Sequence, residues 1–228
     1  MRDAVIVEAV RTPVGKGKPN GALAHVHPVE LLAHTLRSLV ERSGVDPALI
    51  DDVIGGTVDQ VGEQAMNTTR YAALSAGLPE SVPATTVDRQ CGSSQQAVHF
   101  AAQGVISGAY DIAVAAGVEV MTRTPMGASI VQGMGFPFPQ PMMDRYDNFL
   151  PPQGIGAEMI ADEFGLSRED LDAFGAQSQQ RAAQATTRSY APDRTPWAAK
   201  CTACWEEPHC RSTVVAGTVS GNPADRAA

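Results

Sequence analysis

Cysteine is nearly missing from this chain: Cys91 is the one cysteine ahead of residue 200, while Cys201, Cys204 and Cys210 crowd into the last segment. That distribution excludes a secreted disulfide framework spread along the fold. Positive charge is also short, 17 lysines and arginines against 25 acids for a net charge of -8, and no basic stripe is present that would neutralise phosphates. A nucleic-acid partner is therefore not expected. No uninterrupted apolar run is long enough to cross a bilayer, and the first ten residues lack a charged stretch leading into an apolar one and a small-residue cleavage site. The expectation is a soluble protein of the cytoplasm without a membrane span. Aromatics amount to 5%, and both tryptophans, Trp197 and Trp205, sit beside the late cysteines, which sets the last segment apart in origin or role. At 228 residues the chain can still bury a real core in one or two domains.

What the sequence does contain is strand and helix in alternation. Residues 4–10, Ala-Val-Ile-Val-Glu-Ala-Val, read as a buried strand broken by Arg11-Thr12-Pro13-Val14-Gly15. Pro28 to Ser43 places Leu32, Leu36, Leu39 and Val40 on one helical face, with Pro28 suited to the first turn and Gly44 to the stop. A strand at Val53 to Val58, a helix from about Asn67 to Ala76 and a strand near Thr85 to Val87 follow. Ser94 to Ser107 predicts a helix whose inner face carries Ala97, Phe100, Ala101, Gly104 and Val105, small enough for close approach between layers. Asp111 to Val118 reads as a fully buried strand, and the order favours an α/β layered domain.

After Glu119 the periodicity fails. Met121 to Pro152 is rich in proline and glycine and reads as an excursion from the sheet, the kind of long insertion that often serves as a binding loop. Helical pattern returns at about Gly156 to Phe164 and from Arg168 to about Thr187, where Ser167 and Asp170 have capping-box spacing and Leu171, Phe174, Ser178 and Ala182 share a face. Past Tyr190 no confident element emerges, although Thr213 to Val219 is a candidate strand. The expected organisation is an α/β core over 1–120, a loop domain over 121–190 and a divergent, irregular tail over 191–228.

Cys91 sits in Val87-Asp88-Arg89-Gln90-Cys91-Gly92-Ser93-Ser94-Gln95-Gln96-Ala97, where a strand ends and a small-residue helix begins. A helix N-terminus offers unpaired N–H groups and partial positive charge that suit an anionic sulfur, and such a thiolate can accept an acyl group and pass it on. Gly92 leaves room for a substrate carbonyl, and Ser93 or Ser94 offers a local hydrogen bond. Taken alone, an isolated cysteine is more often a small buried hydrophobe than a nucleophile.

Asp88-Arg89-Gln90-Cys91-Gly92-Ser93-Ser94 resembles the acyl-enzyme motif of the thiolase family, the acyl-CoA C-acyltransferases that cleave 3-oxoacyl-CoA or run the reverse Claisen condensation. Further matches are Arg11-Thr12-Pro13-Val14-Gly15, Gly117-Val118-Glu119-Val120-Met121-Thr122-Arg123, Pro125-Met126-Gly127, and Gly156-Ala157-Glu158-Met159-Ile160-Ala161-Asp162 leading to Gly165-Leu166-Ser167-Arg168. Together they cover roughly 2–188. The resemblance implies an incomplete α/β fold: a thiolase-like N-terminal domain with a layered, mixed five-stranded sheet, helices and an inserted loop domain. It implies that Cys91 takes the acyl group as a thioester and delivers it to CoA, in lipid or sterol breakdown. Gln153 and Gly154 would lie near the pantetheine arm of CoA. CoA and acyl-CoA are substrates in this reading, and no permanently bound cofactor is expected.

The departures from the family shape the remaining expectations. Family members are about twice as long, and their second half supplies a Gly-His-Pro histidine, a Cys-x-Gly cysteine and an asparagine-bound water. None can be placed here: Glu207 and Pro208 precede His209, and Arg211 and Ser212 follow Cys210. Full turnover by this chain alone is not expected, and the alternatives are a subunit of a split thiolase, completed by a separate C-terminal-half polypeptide, or a non-catalytic binding or scaffold remnant. A homodimer is implied by resemblance. Cys201, Cys204, His209 and Cys210 are of ligand types that suit zinc, but no regular element holds them and no metal is expected. His25, His27, His34 and His99 give no convergent set. Met121, Met126, Met134, Met142 and Met143 read as an acyl groove or as loop packing, and Arg123 and Arg145 as phosphate contacts or scattered surface charge.

Overall fold

The computed structural model describes residues 3–189, apart from 14, 16, 17 and 131–133, together with 215–219. The chain divides into two compact units, one holding the residues through Ser129 and the strand at 215–219, the other beginning at Ile130.

The first unit is built on a five-stranded sheet. In chain order its elements are β1 (Val5–Val10), α1 (Pro28–Ser43), β2 (Asp52–Gly56), α2 (Thr68–Ser75), β3 (Ala84–Val87), α3 (Ser93–Ser107) and β4 (Ile112–Gly117), with the last strand, Val215–Val219, closing the sheet. The strand order is β1, the Val215–Val219 strand, β4, β2, β3. β2 runs parallel to both β3 and β4, and the Val215–Val219 strand is antiparallel to β1 and β4, so the sheet is mixed. Of the candidate strand read at Thr213 to Val219, the described residues Val215–Val219 thus lie in the sheet, between β1 and β4.

Alternation along β2 and β4 divides the core. Val53, Val114 and Ala116 point to one face, where Leu32, Leu36 and Leu39 of α1 and Ala72 and Ala73 of α2 cover them. Ile54, Ala113 and Ala115 point to the other, against Ala97, Ala101 and Val105 of α3. α1 has the bounds its sequence pattern dictates: Pro28 opens it and Gly44 ends it in the left-handed region at φ 67°. Its cap is His27, whose Nδ1 accepts from the Val29 N–H at 3.2 Å.

Two expectations about burial need correction. β1 is not a buried strand: Val5, Ile6 and Val7 are 51%, 62% and 49% exposed, because β1 is the edge strand of the sheet. Phe100 is not on the inner face of α3 but 43% exposed. The Ala97, Ala101 and Val105 stripe brings the helix so close to the sheet that a phenyl ring has no room beneath it.

The second unit contains α4 (Gln140–Arg145), α5 (Gln153–Phe164) and α6 (Arg168–Ser189), so the closing strand of the first unit is β5. Ser167 and Asp170 form the cap their spacing foretold: the Ser167 hydroxyl donates to Asp170 Oδ2 at 2.7 Å and accepts from the Asp170 N–H at 3.1 Å. This bonding holds the Asp170 carboxyl below the usual carboxylate range. Ala161 is buried, whereas Ile155, Met159, Ile160, Phe164, Leu171 and Phe174 are exposed.

Candidate active site

The Cys91 segment is a tight elbow between β3 and α3. Gln90 carries φ 47°, left-handed for a residue with a Cβ, and the strain is held by its neighbours. Asp88 Oδ1 accepts from the Gln90 N–H at 2.7 Å. The Ser93 hydroxyl, buried, accepts from the Arg89 N–H at 2.9 Å and donates to the Gln90 carbonyl at 2.6 Å. The Arg89 guanidinium donates to Gln96 Oε1. The outcome is an exposed Cys91 thiol at the head of α3, chemically able to meet a carbonyl carbon brought from solvent.

The elbow rests on two glycines at the carboxyl ends of neighbouring strands. A methyl group at Gly56 would run into the Ser93–Ser94 peptide, meeting Ser94 N at 2.5 Å, and one at Gly117 would lie 2.7 Å from Ser94 Cβ. Only glycine lets the first turn of α3 sit directly on the ends of β2 and β4. Gly92 is different: a Cβ there would meet only the Arg89 carbonyl, at an ordinary 3.5 Å, so packing does not demand glycine at this position.

Just past those glycines the two strand ends are tied by buried polar groups. Glu119 accepts from the Val58 N–H at 2.7 Å and from Gln64 Nε2 at 2.8 Å. Gln64, fully buried, also donates to the Asp59 carbonyl at 3.1 Å and accepts from the Val120 N–H at 2.8 Å. Arg123 pairs with Glu63 through two nitrogens and donates to the Ala24 carbonyl at 3.1 Å. The pairing raises Arg123 above and lowers Glu63 below their ordinary values. The Arg123 charge is therefore already matched by a carboxylate, which weakens the reading of it as a phosphate contact.

Residues 4–202 match the family described as "Thiolase, N-terminal domain". This chain belongs to the thiolase family. It is 45% identical over 188 residues to the steroid 3-ketoacyl-CoA thiolase FadA6 of Mycobacterium tuberculosis, a match covering 80% of this chain and 46% of the relative. The 3-ketoacyl-CoA thiolase of Erwinia tasmaniensis is 45% identical over 187 residues (82% and 46%), and that of Bacillus subtilis 40% over 185 (81% and 46%). The chain spans about half the length of the curated relatives it matches.

In this thiolase-family chain the named candidates fall into both units. Gln153 and Gly154 are the first two residues of α5, in the second unit, and are exposed, with open space around the Gly154 Cα. His99 lies exposed on α3, about two turns beyond Cys91. Met126 and Met134 are 77% and 83% exposed, one in each unit. Cys201, Cys204, His209 and Cys210 lie outside the described residues. Among the described residues no group of three or more His, Cys, Asp or Glu side chains could hold a metal ion, and no helix is long and apolar enough to cross a membrane. Sequence reasoning missed the glycine seats at 56 and 117 and the Asp59, Gln64 and Glu119 ties. The available signal was a polar residue just past each of two buried runs, Asp59 after Val58 and Glu119 after Val118.

Proposed function

We propose that this chain serves thiolytic cleavage of 3-oxoacyl-CoA in lipid or sterol breakdown, with Cys91 as the acyl-accepting nucleophile. Family membership combined with an exposed thiol at the strained head of α3 carries the reading. Cys91 Sγ adds to the C3 carbonyl, the C2–C3 bond breaks, and the carbanion at C2 takes a proton to leave as acetyl-CoA. The thiolate of a second CoA then attacks the Cys91 thioester, releasing the shortened acyl-CoA and restoring the thiol. The step needs a base for the thiol proton and an acid for C2. By family resemblance both come from a second half, so the isolated chain is expected to form the acyl-enzyme slowly and not to complete a full turnover. CoA and acyl-CoA are substrates here, with the first turn of α5 at Gln153 and Gly154 contacting pantetheine. A reduced thiol fits work in the cytoplasm.

A covering protein segment is the second reading, supplied by a homodimer partner or by the separate half of a split enzyme. The exposed Phe100 and Ile106 on α3 favour it, at 43% and 44%. In its limiting form the chain is a non-catalytic scaffold that uses this face.

The test is intact-mass spectrometry of the full chain after incubation with a short 3-oxoacyl-CoA. The expected result is a mass gain equal to the acyl group, sensitive to hydroxylamine and absent from Cys91→Ala. Equal labelling of both proteins, or of neither, removes the nucleophile assignment.

A further inference from the structure

The bonds that hold the Cys91 elbow differ in reach, and Arg89 makes three of them. Its N–H donates to the Ser93 hydroxyl at 2.9 Å, its carbonyl accepts from the Gly92 N–H at 3.1 Å, and its guanidinium donates to Gln96 Oε1. The first two are local and set the shape of the turn, together with the Gln90 carbonyl, which accepts from the Ser93 N–H at 3.0 Å. The third spans seven residues and ends on the fourth residue of α3, so it ties the turn to the helix behind it.

Gln96 is 8% exposed, and its N–H donates to the Gly92 carbonyl at 2.9 Å. A buried amide costs solvation unless it is hydrogen-bonded, and an apolar side chain of the same size would fill the place without that cost. What the amide adds is an acceptor fixed by packing, at which the side chain of an exposed arginine is held. Among the described residues this is the guanidinium's one hydrogen bond, whereas Arg123 is matched by the Glu63 carboxylate. Gln90, with its φ of 47°, lies between Arg89 and Cys91. Backbone strain of that kind persists only where the surroundings over-determine it. Without the bond to Gln96 the local bonds still permit the turn, but its direction relative to α3 is held less tightly.

We infer that Gln96 is a positioning residue for the nucleophile: by holding the Arg89 guanidinium it fixes the direction in which the elbow presents Cys91 Sγ to a carbonyl carbon. The inference rests on the proposed acyl-transfer reading and adds to it a residue that touches neither substrate nor sulfur. Attack on the C3 carbonyl of a bound 3-oxoacyl-CoA needs the sulfur on one line of approach, and a displacement of about 1 Å can cost roughly a hundredfold in rate. Iodoacetamide arrives from solvent in any orientation, so it reads whether the thiol is accessible and not where it points.

The experiment compares the full chain with Gln96→Met, which keeps the size and removes the acceptor, and with Gln96→Glu, which keeps an acceptor oxygen for Arg89. Each is incubated with a short 3-oxoacyl-CoA and, separately, with iodoacetamide. Both rates are read by mass at the Cys91 peptide, because Cys201, Cys204 and Cys210 also carry thiols. The expected result for Gln96→Met is thioester formation slowed about tenfold with alkylation within about twofold of the parent, and for Gln96→Glu both rates within about twofold. Thioester formation unchanged in Gln96→Met, a fall shared equally with alkylation, or a fall as large in Gln96→Glu overturns the proposal. A parent that forms no thioester sinks the acyl-transfer reading and this one with it, whereas a parent that forms it beside an unimpaired Gln96→Met removes this one alone. Should Gln96→Met fail to fold, Arg89→Met decides from the exposed end of the bond: thioester formation must slow about tenfold with alkylation within about twofold, and an unchanged rate overturns the proposal.

Discussion

The two faces of the sheet are finished differently. On one side α1 buries Leu32, Leu36 and Leu39, and its exposed positions are Glu30, His34, Arg37, Glu41 and Arg42, a surface made for water. On the other side α3 buries only Ala97, Ala101 and Val105 among its apolar residues, and the fifteen residues from Ser93 to Ser107 include no Asp, Glu, Lys or Arg. Its exposed side shows Phe100 and Ile106 beside the uncharged polar Gln95, Gln103 and Ser107 and the imidazole of His99. A helix that is apolar inward and uncharged outward is shaped to be covered on both sides. Under the proposed function the contrast has a use: a thiol at the head of α3 lies by the layer that a covering protein surface would enclose, and such enclosure excludes water around a reacting carbonyl.

The largest effect should come from the face with the larger side chains. Leu36 is 1% exposed, and Leu36→Ala is expected to cost about 3 kcal/mol in urea unfolding, lost transfer energy plus a cavity that α1 cannot collapse into. A loss below about 1 kcal/mol would show that this face is as loosely filled as the other. On the α3 face the vulnerable feature is contact distance rather than volume. Gly56→Ala should cost about 2 kcal/mol by overpacking, since its methyl meets the Ser93–Ser94 peptide. The shift falls two residues after Cys91, so the iodoacetamide rate should change as well. Stability lost with an unaltered thiol rate would separate the helix seat from the elbow.

How far the sequence shows this contrast depends on the range of each cause. The bounds of α1 are legible because Pro28, the leucine spacing and Gly44 are local signals, and the place of Cys91 between a strand and a helix is legible because that transition is contiguous in sequence. The mixed five-stranded sheet was legible through resemblance, and the family match and the sheet both carry it. The exposure of β1 was not, because an apolar run has the same pattern at an edge as at the centre of a sheet. Phe100 was misplaced because in a helix of small residues periodicity does not say which stripe touches the sheet. His27 was overlooked as a cap because histidine is not among the usual capping residues. The Asp59 bonds to Gly127 and Ser129 join residues 68 and 70 positions apart, a separation at which one sequence offers no pattern to read.

A smaller effect separates the two faces by pH. Tyr110 packs over Gly104 on the α3 side, and its hydroxyl donates to Asp52 Oδ2 at 2.9 Å. That hydrogen bond, with burial and the charges of Asp52 and Asp51 behind it, raises the Tyr110 phenol above its ordinary value. A raised value means the protonated phenol is favoured by folding, so its stabilisation is complete at pH below the ordinary tyrosine range and disappears as pH rises through the raised value. Tyr110→Phe should therefore lower stability by about 1 kcal/mol at neutral pH and flatten the alkaline limb of the stability profile. An alkaline limb identical in both proteins would remove Tyr110 as its source.

The smallest expected effect on stability is the most informative about α3. Phe100 is 43% exposed, so Phe100→Gln leaves no cavity and replaces one helix residue by another of at least equal propensity. Thermal unfolding of the chain should shift by less than about 0.5 kcal/mol, the range of ordinary surface substitutions, while binding of an apolar dye should fall. A substitution on a closed face such as that of α1 cannot give that pair of results, because there dye binding is absent and stability is lost. If Phe100→Gln instead costs more than about 2 kcal/mol, the ring is enclosed in solution, and the outward side of α3 is already covered by protein.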